Sequence, residues 1–138
     1  EGMLRVGAVT RVDNAQFRLL KTATPGPYTF ILEASKEVPR RVSHPQRKTI
    51  GLRVPEHKTL QALLELHGAP LLATTLILPG ESDPLADPEA SRERLERQTA
   101  GVVDAGAGPL EPTTVVDLTG GAPERVRRGR GDPAALGL

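Results

Sequence analysis

The amino-acid sequence predicts an α/β fold built on a mixed sheet. Three observations carry that reading: short runs dense in β-branched and aromatic residues, longer segments with leucines near helical spacing, and Gly- or Pro-containing turns that make the two kinds alternate. The first segment, "RVDNAQFRLLK", puts Asp13 or Asn14 in place as an N-cap ahead of Phe17, Leu19 and Leu20, predicting a short helix that stops before Thr24-Pro25-Gly26-Pro27. "YTFIL" at 28–32 reads as a buried strand, and "KTIGLRV" at 48–54 as a second, stopped by Pro55. "HKTLQALLELHG" follows, with Leu60, Leu63, Leu64 and Leu66 near helical spacing and Gly68 positioned to close the helix. The run "LLATTLIL" at 71–78, apolar on both faces, predicts an interior strand. Along such a strand Thr75 and Ile77 share one face, Thr74 and Leu76 the other.

From Glu81 the texture changes. "ESDPLADPEASRERLERQTA" opens with two Asp-Pro turns and continues as a polar surface helix with Leu95 as its main apolar residue. "GVVDAG" at 101–106 and "TTVVDLT" at 113–119 read as further strands, and "ERVRRGRGD" as a final basic one.

The length of 138 residues fits one ordinary domain, and no apolar stretch approaches the roughly 20 residues of a membrane span. With no cysteine and no basic, apolar signal pattern in the opening residues, the expected setting is cytoplasmic. The net charge is +1, so binding to nucleic acid has to come from the distribution of charge. Phe17, Tyr28 and Phe30 are the only aromatics, which excludes base stacking as the main binding device.

Phosphate-loop, dinucleotide, zinc-protease and nucleophile-elbow motifs are missing. His44, His57 and His67 have no metal-ligand spacing and read as ordinary histidines, and the "RGD" at 130–132 as a chance tripeptide. Basic residues do cluster. Arg40, Arg41, Arg47, Lys48 and Arg53 form one segment and Arg125, Arg127, Arg128 and Arg130 another; brought onto one sheet face they make an anion-attracting surface, and left apart they are solvated strand edges. Arg53, inside an apolar strand, needs a carboxylate or phosphate partner if buried. Thr49, Thr113 and Thr114 are hydroxyls at strand starts, where α/β sheets bind substrates, although each by itself also reads as a β-former.

Taken in order, "TPGPYTFIL", "KEVPRR", "KTIGLRVPEH", "LLATTLILPG" and "PTTVVDLT" followed by "RVRRG" resemble the YrdC/YciO family, and "RVDNAQFRLLK", "KEVPRR" and "RKTIGLRVP" the YciO branch in particular. The resemblance implies a twisted mixed sheet of the YrdC-like fold with flanking helices, here as an N-terminally truncated single domain over 1–138. It implies a concave basic face that binds double-stranded RNA or tRNA, with Arg40, Arg41, Arg47, Lys48, Arg125 and Arg128 as the RNA-contacting candidates. Synthase members of the family make threonylcarbamoyl-AMP for tRNA modification from ATP, L-threonine and bicarbonate. Carried over by position, Thr49 and Arg127 contact the nucleotide, while Arg53, Thr75 and Thr113 face L-threonine. ATP enters as a substrate, with Mg2+ as a candidate companion, and no residue is assigned a catalytic role.

Two departures shape the expected function. The synthase pattern Ser-x-Asn reads here Thr75-Leu76-Ile77, which exchanges an amide for hydrocarbon that can neither donate nor accept. The family's Lys-x-Arg motif belongs to a segment expected before Glu1. Together these predict RNA and nucleotide binding with weak or no synthase activity, the alternatives being an active synthase or a module docking an acidic protein. Uncovered apolar surface and strand edges also predict self-association.

Overall fold

A computed structural model describes residues 9–138. They form two compact units, one running to Leu71 and resuming at Thr113–Leu138, the other spanning Leu72–Pro112.

The first unit is organised around strand β2 (Tyr28–Ala34), whose alternation puts Tyr28, Phe30 and Leu32 on a buried face. β3 (Thr49–Leu52) pairs antiparallel with it, Phe30 opposite Leu52 and Glu33 opposite Thr49. β4 (Thr114–Asp117) pairs parallel, Tyr28 opposite Thr114, and β5 (Glu124–Arg127) runs antiparallel to β4 with a register shift at Val115/Val116. The short β1 (Thr10–Arg11) pairs with Ala34 and Glu33. One parallel and three antiparallel pairings make the mixed sheet that the sequence predicts.

Helix α1 (Asn14–Ala23) covers one face of this sheet. Its start is fixed by a capping box: the Gln16 amide N–H donates to Asp13 Oδ1 at 2.8 Å and the Asp13 N–H to Gln16 Oε1 at 2.9 Å. Gln16 Nε2 also donates to the Leu118 carbonyl at 2.6 Å, tying the helix to the end of β4. Leu20 and Ala23 pack with Tyr28, Phe30, Leu32, Val116 and Leu118 in one core cluster. Each of the large side chains there contributes about 1.5–3 kcal/mol of burial free energy.

α2 (Lys58–His67) starts where His57 Nδ1 accepts the Leu60 N–H at 3.2 Å and ends at Gly68, whose φ of 72° is the left-handed cap expected of glycine. Its leucines have helical spacing, yet no residue of α2 is buried. In the second unit, α3 (Pro88–Leu95) is capped by Asp87 and laced by ion pairs: Arg92 to Glu89 at 2.6 Å and to Glu96 at 3.1 Å, and Arg94 to Glu81 at 2.8 Å. It is the polar surface helix expected from the sequence.

Three sequence expectations are corrected. The run 71–78 is not a strand, and it is not interior: Leu72 is 81 % and Ile77 47 % exposed. A strand needs a partner for its backbone groups, and none of the described strands pairs with this run. The local Ile77 N–H to Thr75 carbonyl bond, at 3.1 Å, and the Leu85 N–H to Leu76 carbonyl bond, at 2.9 Å, hold it in an irregular path, so the expected alternation of Thr75 with Thr74 lapses. "GVVDAG" is likewise irregular and exposed. Arg53 lies one residue beyond the end of β3, not inside it.

No helix among the described residues is long and apolar enough to cross a membrane.

Candidate functional site

The second face of the sheet carries the polar residues that the core face excludes. On β2 these are Thr29 and Glu33, which share that face with Ile31 and alternate with the buried Tyr28, Phe30 and Leu32. Parallel pairing sets Thr29 beside Val115 and Ile31 beside Asp117. On β3, Thr49 and Gly51 fall opposite Glu33 and Ile31. Leu52 and Val54 both pack on the core, so Arg53 between them projects to the second face, beside Thr29. A Cβ on Gly51 would come within 3.3 Å of Thr29 Cγ2, so the glycine keeps the middle of the face shallow.

From the other edge Arg127, opposite Val115 in β5, reaches back across β4. Its Nε and Nη2 donate to the Thr113 carbonyl at 3.2 and 2.9 Å, and Thr113 Oγ1 lies 2.7 Å from Thr29 Oγ1. Thr113 is buried and Thr29 half-buried. Arg53, Thr29, Thr113 and Arg127 therefore form one row across the sheet at the start of its parallel strands.

Positive charge is concentrated along that row. Arg53 is exposed as a residue, yet its guanidinium is held below its ordinary pKa by partial desolvation, by Arg130 and by Arg127, in that order. Among the described residues no carboxylate pairs with Arg53 or Arg127. The far end of the same face is acidic, with Glu33 and Asp117, so the face is graded and not uniformly basic.

Thr49 lies at that far end, half-buried, its carbonyl accepting the His44 N–H at 2.8 Å. Four residues of extended chain, about 13 Å, separate it from Arg53, so a ligand touching Thr49 and Arg127 together must be elongated. Arg40 and Arg41 occupy an exposed 3-10 turn, and Arg47 and Lys48 an exposed loop that His44 Nδ1 holds by accepting the Gln46 and Arg47 N–H groups. Arg125 and Arg128 flank Arg127 at the opposite edge of the sheet. Arg40, Arg41, Arg47 and Lys48 thus stay apart from Arg125 and Arg128, with β2 and β4 between them, while Arg53 of the first cluster comes near Arg127 and Arg130 of the second. Thr75 belongs to the second unit, exposed and outside any strand.

Two further hydroxyls stand close by, Thr29, which sequence reasoning missed, and Thr114, which it named among the strand-start hydroxyls without its loop contacts. Thr29 was hidden inside an apolar strand, its only signal the parity it shares with Glu33. Thr114 is fully buried; its hydroxyl donates to the Gly131 carbonyl and accepts the Gly129 N–H at 2.9 Å. Of the "RGD" tripeptide, Gly131 is buried and Asp132 Oδ1 accepts the Ala134 N–H at 3.0 Å, starting the last 3-10 turn, Pro133–Leu136.

The arginines and hydroxyls of the row suit phosphate and carboxylate groups. The row offers no aromatic for stacking on a base: Tyr28 and Phe30 are buried, and the exposed Phe17 lies on α1, which covers the other face. Among the described residues no group of three or more His, Cys, Asp or Glu side chains is arranged to hold a metal, so any Mg2+ would rely mainly on a ligand's phosphates.

The chain resembles known proteins in sequence and in fold. The Sua5/YciO/YrdC family, described as "Telomere recombination", matches residues 3–129. The uncharacterized protein YciO of Escherichia coli K12 is 52% identical over 121 residues, 88% of this chain and 59% of that protein. Its crystal structure superposes with a TM-score of 0.90 at 47% identity, covering 97% of this chain and 65% of the other. A threonylcarbamoyl-AMP synthase of Xanthomonas axonopodis pv. citri is 32% identical over 114 residues, 82% of this chain and 60% of its own length. P. abyssi Sua5, in complex with L-threonine, superposes with a TM-score of 0.81 at 25% identity, over 91% of this chain and 37% of that one. The chain thus spans about three fifths of the curated relatives it matches. Fold, sheet and sequence agree: the chain belongs to the Sua5/YciO/YrdC family and is related to the threonylcarbamoyl-AMP synthases.

Proposed function

We propose that this is a YciO-type protein that binds a nucleotide, with ATP as the model ligand, on the second face of its sheet and duplex RNA or tRNA through its basic edges, with weak or no threonylcarbamoyl-AMP synthase activity. One observation carries the reading: Arg53 and Arg127 converge from opposite edges on the Thr29–Thr113 hydroxyl pair with no carboxylate partner among the described residues. Two guanidiniums that repel each other are stabilised by an anion between them, and phosphate matches their donor geometry. The exposed Arg40, Arg41, Arg47, Lys48, Arg125 and Arg128 supply sequence-independent contacts to an RNA backbone. By the family resemblance Ile77 stands where synthases have an amide, which is in keeping with weak turnover.

The second reading, an active synthase, is favoured by the likeness to a protein solved with L-threonine and by Arg53, which suits an amino-acid carboxylate. Titration calorimetry with ATP and L-threonine, alongside pyrophosphate release in the presence of bicarbonate, separates the two. ATP binding without pyrophosphate release above background is the expected result. Robust release would replace the first reading by the second, and no binding of either ATP or duplex RNA would end both.

A further inference from the structure

Gly51 has no conformational reason to be glycine. Its φ lies outside the left-handed region, and its pairing with Ile31 sits inside an unbroken register, so neither a turn nor a bulge calls for it. Among the described residues no other backbone approaches it either: within 4 Å a Cβ there would meet a single atom, the Thr29 methyl at 3.3 Å. A glycine inside a strand gives up side-chain packing and chain stiffness, and the remaining physical reason for one is close approach by a group that is not part of the fold.

Its surroundings indicate what that group is. Gly51 is exposed on the second face between Thr49 and Arg53, with Ile31 opposite and the Thr29 methyl alongside. These three make a low, aliphatic, uncharged strip between the arginine row and the acidic end at Glu33 and Asp117. A molecule anchored at Arg53 and Arg127 and reaching Thr49 has to cross it.

We infer that Gly51 is a specificity-determining residue, whose bare backbone lets a flat, weakly polar body carried by the anion, such as a nucleoside, lie in contact with the sheet. A methyl group at this position would hold that body off the strip by about 1 Å, enough to forfeit up to half of the dispersion attraction there, and would leave a small anion on the arginines untouched. The inference rests on the proposed nucleotide reading and adds to it the residue that limits what the anion carries.

The test is titration calorimetry of the whole chain with ATP and with inorganic tripolyphosphate, which supplies the anion without the nucleoside. The native chain is compared with Gly51→Ala and with Gly51→Ala/Thr29→Ser, each checked by a thermal melt. Gly51→Ala should lose about tenfold for ATP and less than about twofold for tripolyphosphate. The double variant removes the atom that the new methyl presses on and keeps the hydroxyl that pairs with Thr113, and it should bind ATP as poorly as Gly51→Ala. Equal losses for the two ligands, or recovery of ATP binding in the double variant, would show that alanine acts by displacing Thr29, and either result overturns the inference. So does a Gly51→Ala chain that fails to fold, because the fold itself would then demand glycine. If the native chain binds ATP and Gly51→Ala binds it equally well, only the role of Gly51 falls; if the native chain does not bind ATP, the nucleotide reading falls with it.

Discussion

Arg127 donates two hydrogen bonds, 3.2 and 2.9 Å long, to the carbonyl oxygen of Thr113, and so carries its charge from the edge strand to the hydroxyl row in the middle of the sheet. A planar fork makes that double contact and an ammonium does not. Arg127→Lys should therefore weaken ATP binding by about tenfold while lowering stability by only about 1 kcal/mol, the net worth of a typical hydrogen bond. Calorimetry and a thermal melt check the two halves separately.

Thr114 is fully buried and its hydroxyl serves both Gly129 and Gly131. Thr114→Val keeps the shape but strands a backbone N–H and a carbonyl, at a cost of roughly 1–3 kcal/mol. Thr114→Ser keeps the hydroxyl and should lose less. Urea unfolding of the pair decides the matter: equal midpoints would show that the hydroxyl does not hold the loop.

RNA binding through exposed arginines should fall steeply with salt and vary little between duplex sequences. Charge reversal at Arg40 and Arg41 should weaken it more than reversal at Arg92 and Arg94, which already spend their charge on Glu89, Glu96 and Glu81. Equal effects in a filter-binding series would leave the basic edges as solvated surface.

Ile77 is exposed and outside any strand, so Ile77→Asn should shift stability by no more than about 0.5 kcal/mol. A large drop in melting temperature would show Ile77 packed in a core after all.

Elements whose signals are local were legible in the sequence. Asp13 caps α1, Gly68 closes α2, and the β-branched and aromatic run read at 28–32 forms the central strand, which extends to Ala34, because caps, turns and strand propensity act over a few residues. The run 71–78 was misread because composition records how apolar a segment is, not whether another strand is there to pair with it. Of the site, Arg53, Arg127 and Thr113 could be singled out one by one from residue type and from family resemblance. Their convergence could not, since it depends on the parity of β2 and β3 and on a side chain reaching across β4. Thr114 read as a strand former, and its grip on the loop 129–131 spans 15 and 17 positions of chain that no local pattern links.

The most direct test of the central claim, that the arginine end of the second sheet face is the anion site, is to follow backbone amide chemical shifts of the chain as ATP is added. The largest changes should fall on Thr29, Gly51, Arg53, Thr113, Arg127 and Arg130, and should vanish in an Arg53→Gln, Arg127→Gln double variant. Changes confined to α2 or α3, or a titration that the double variant leaves intact, would contradict it.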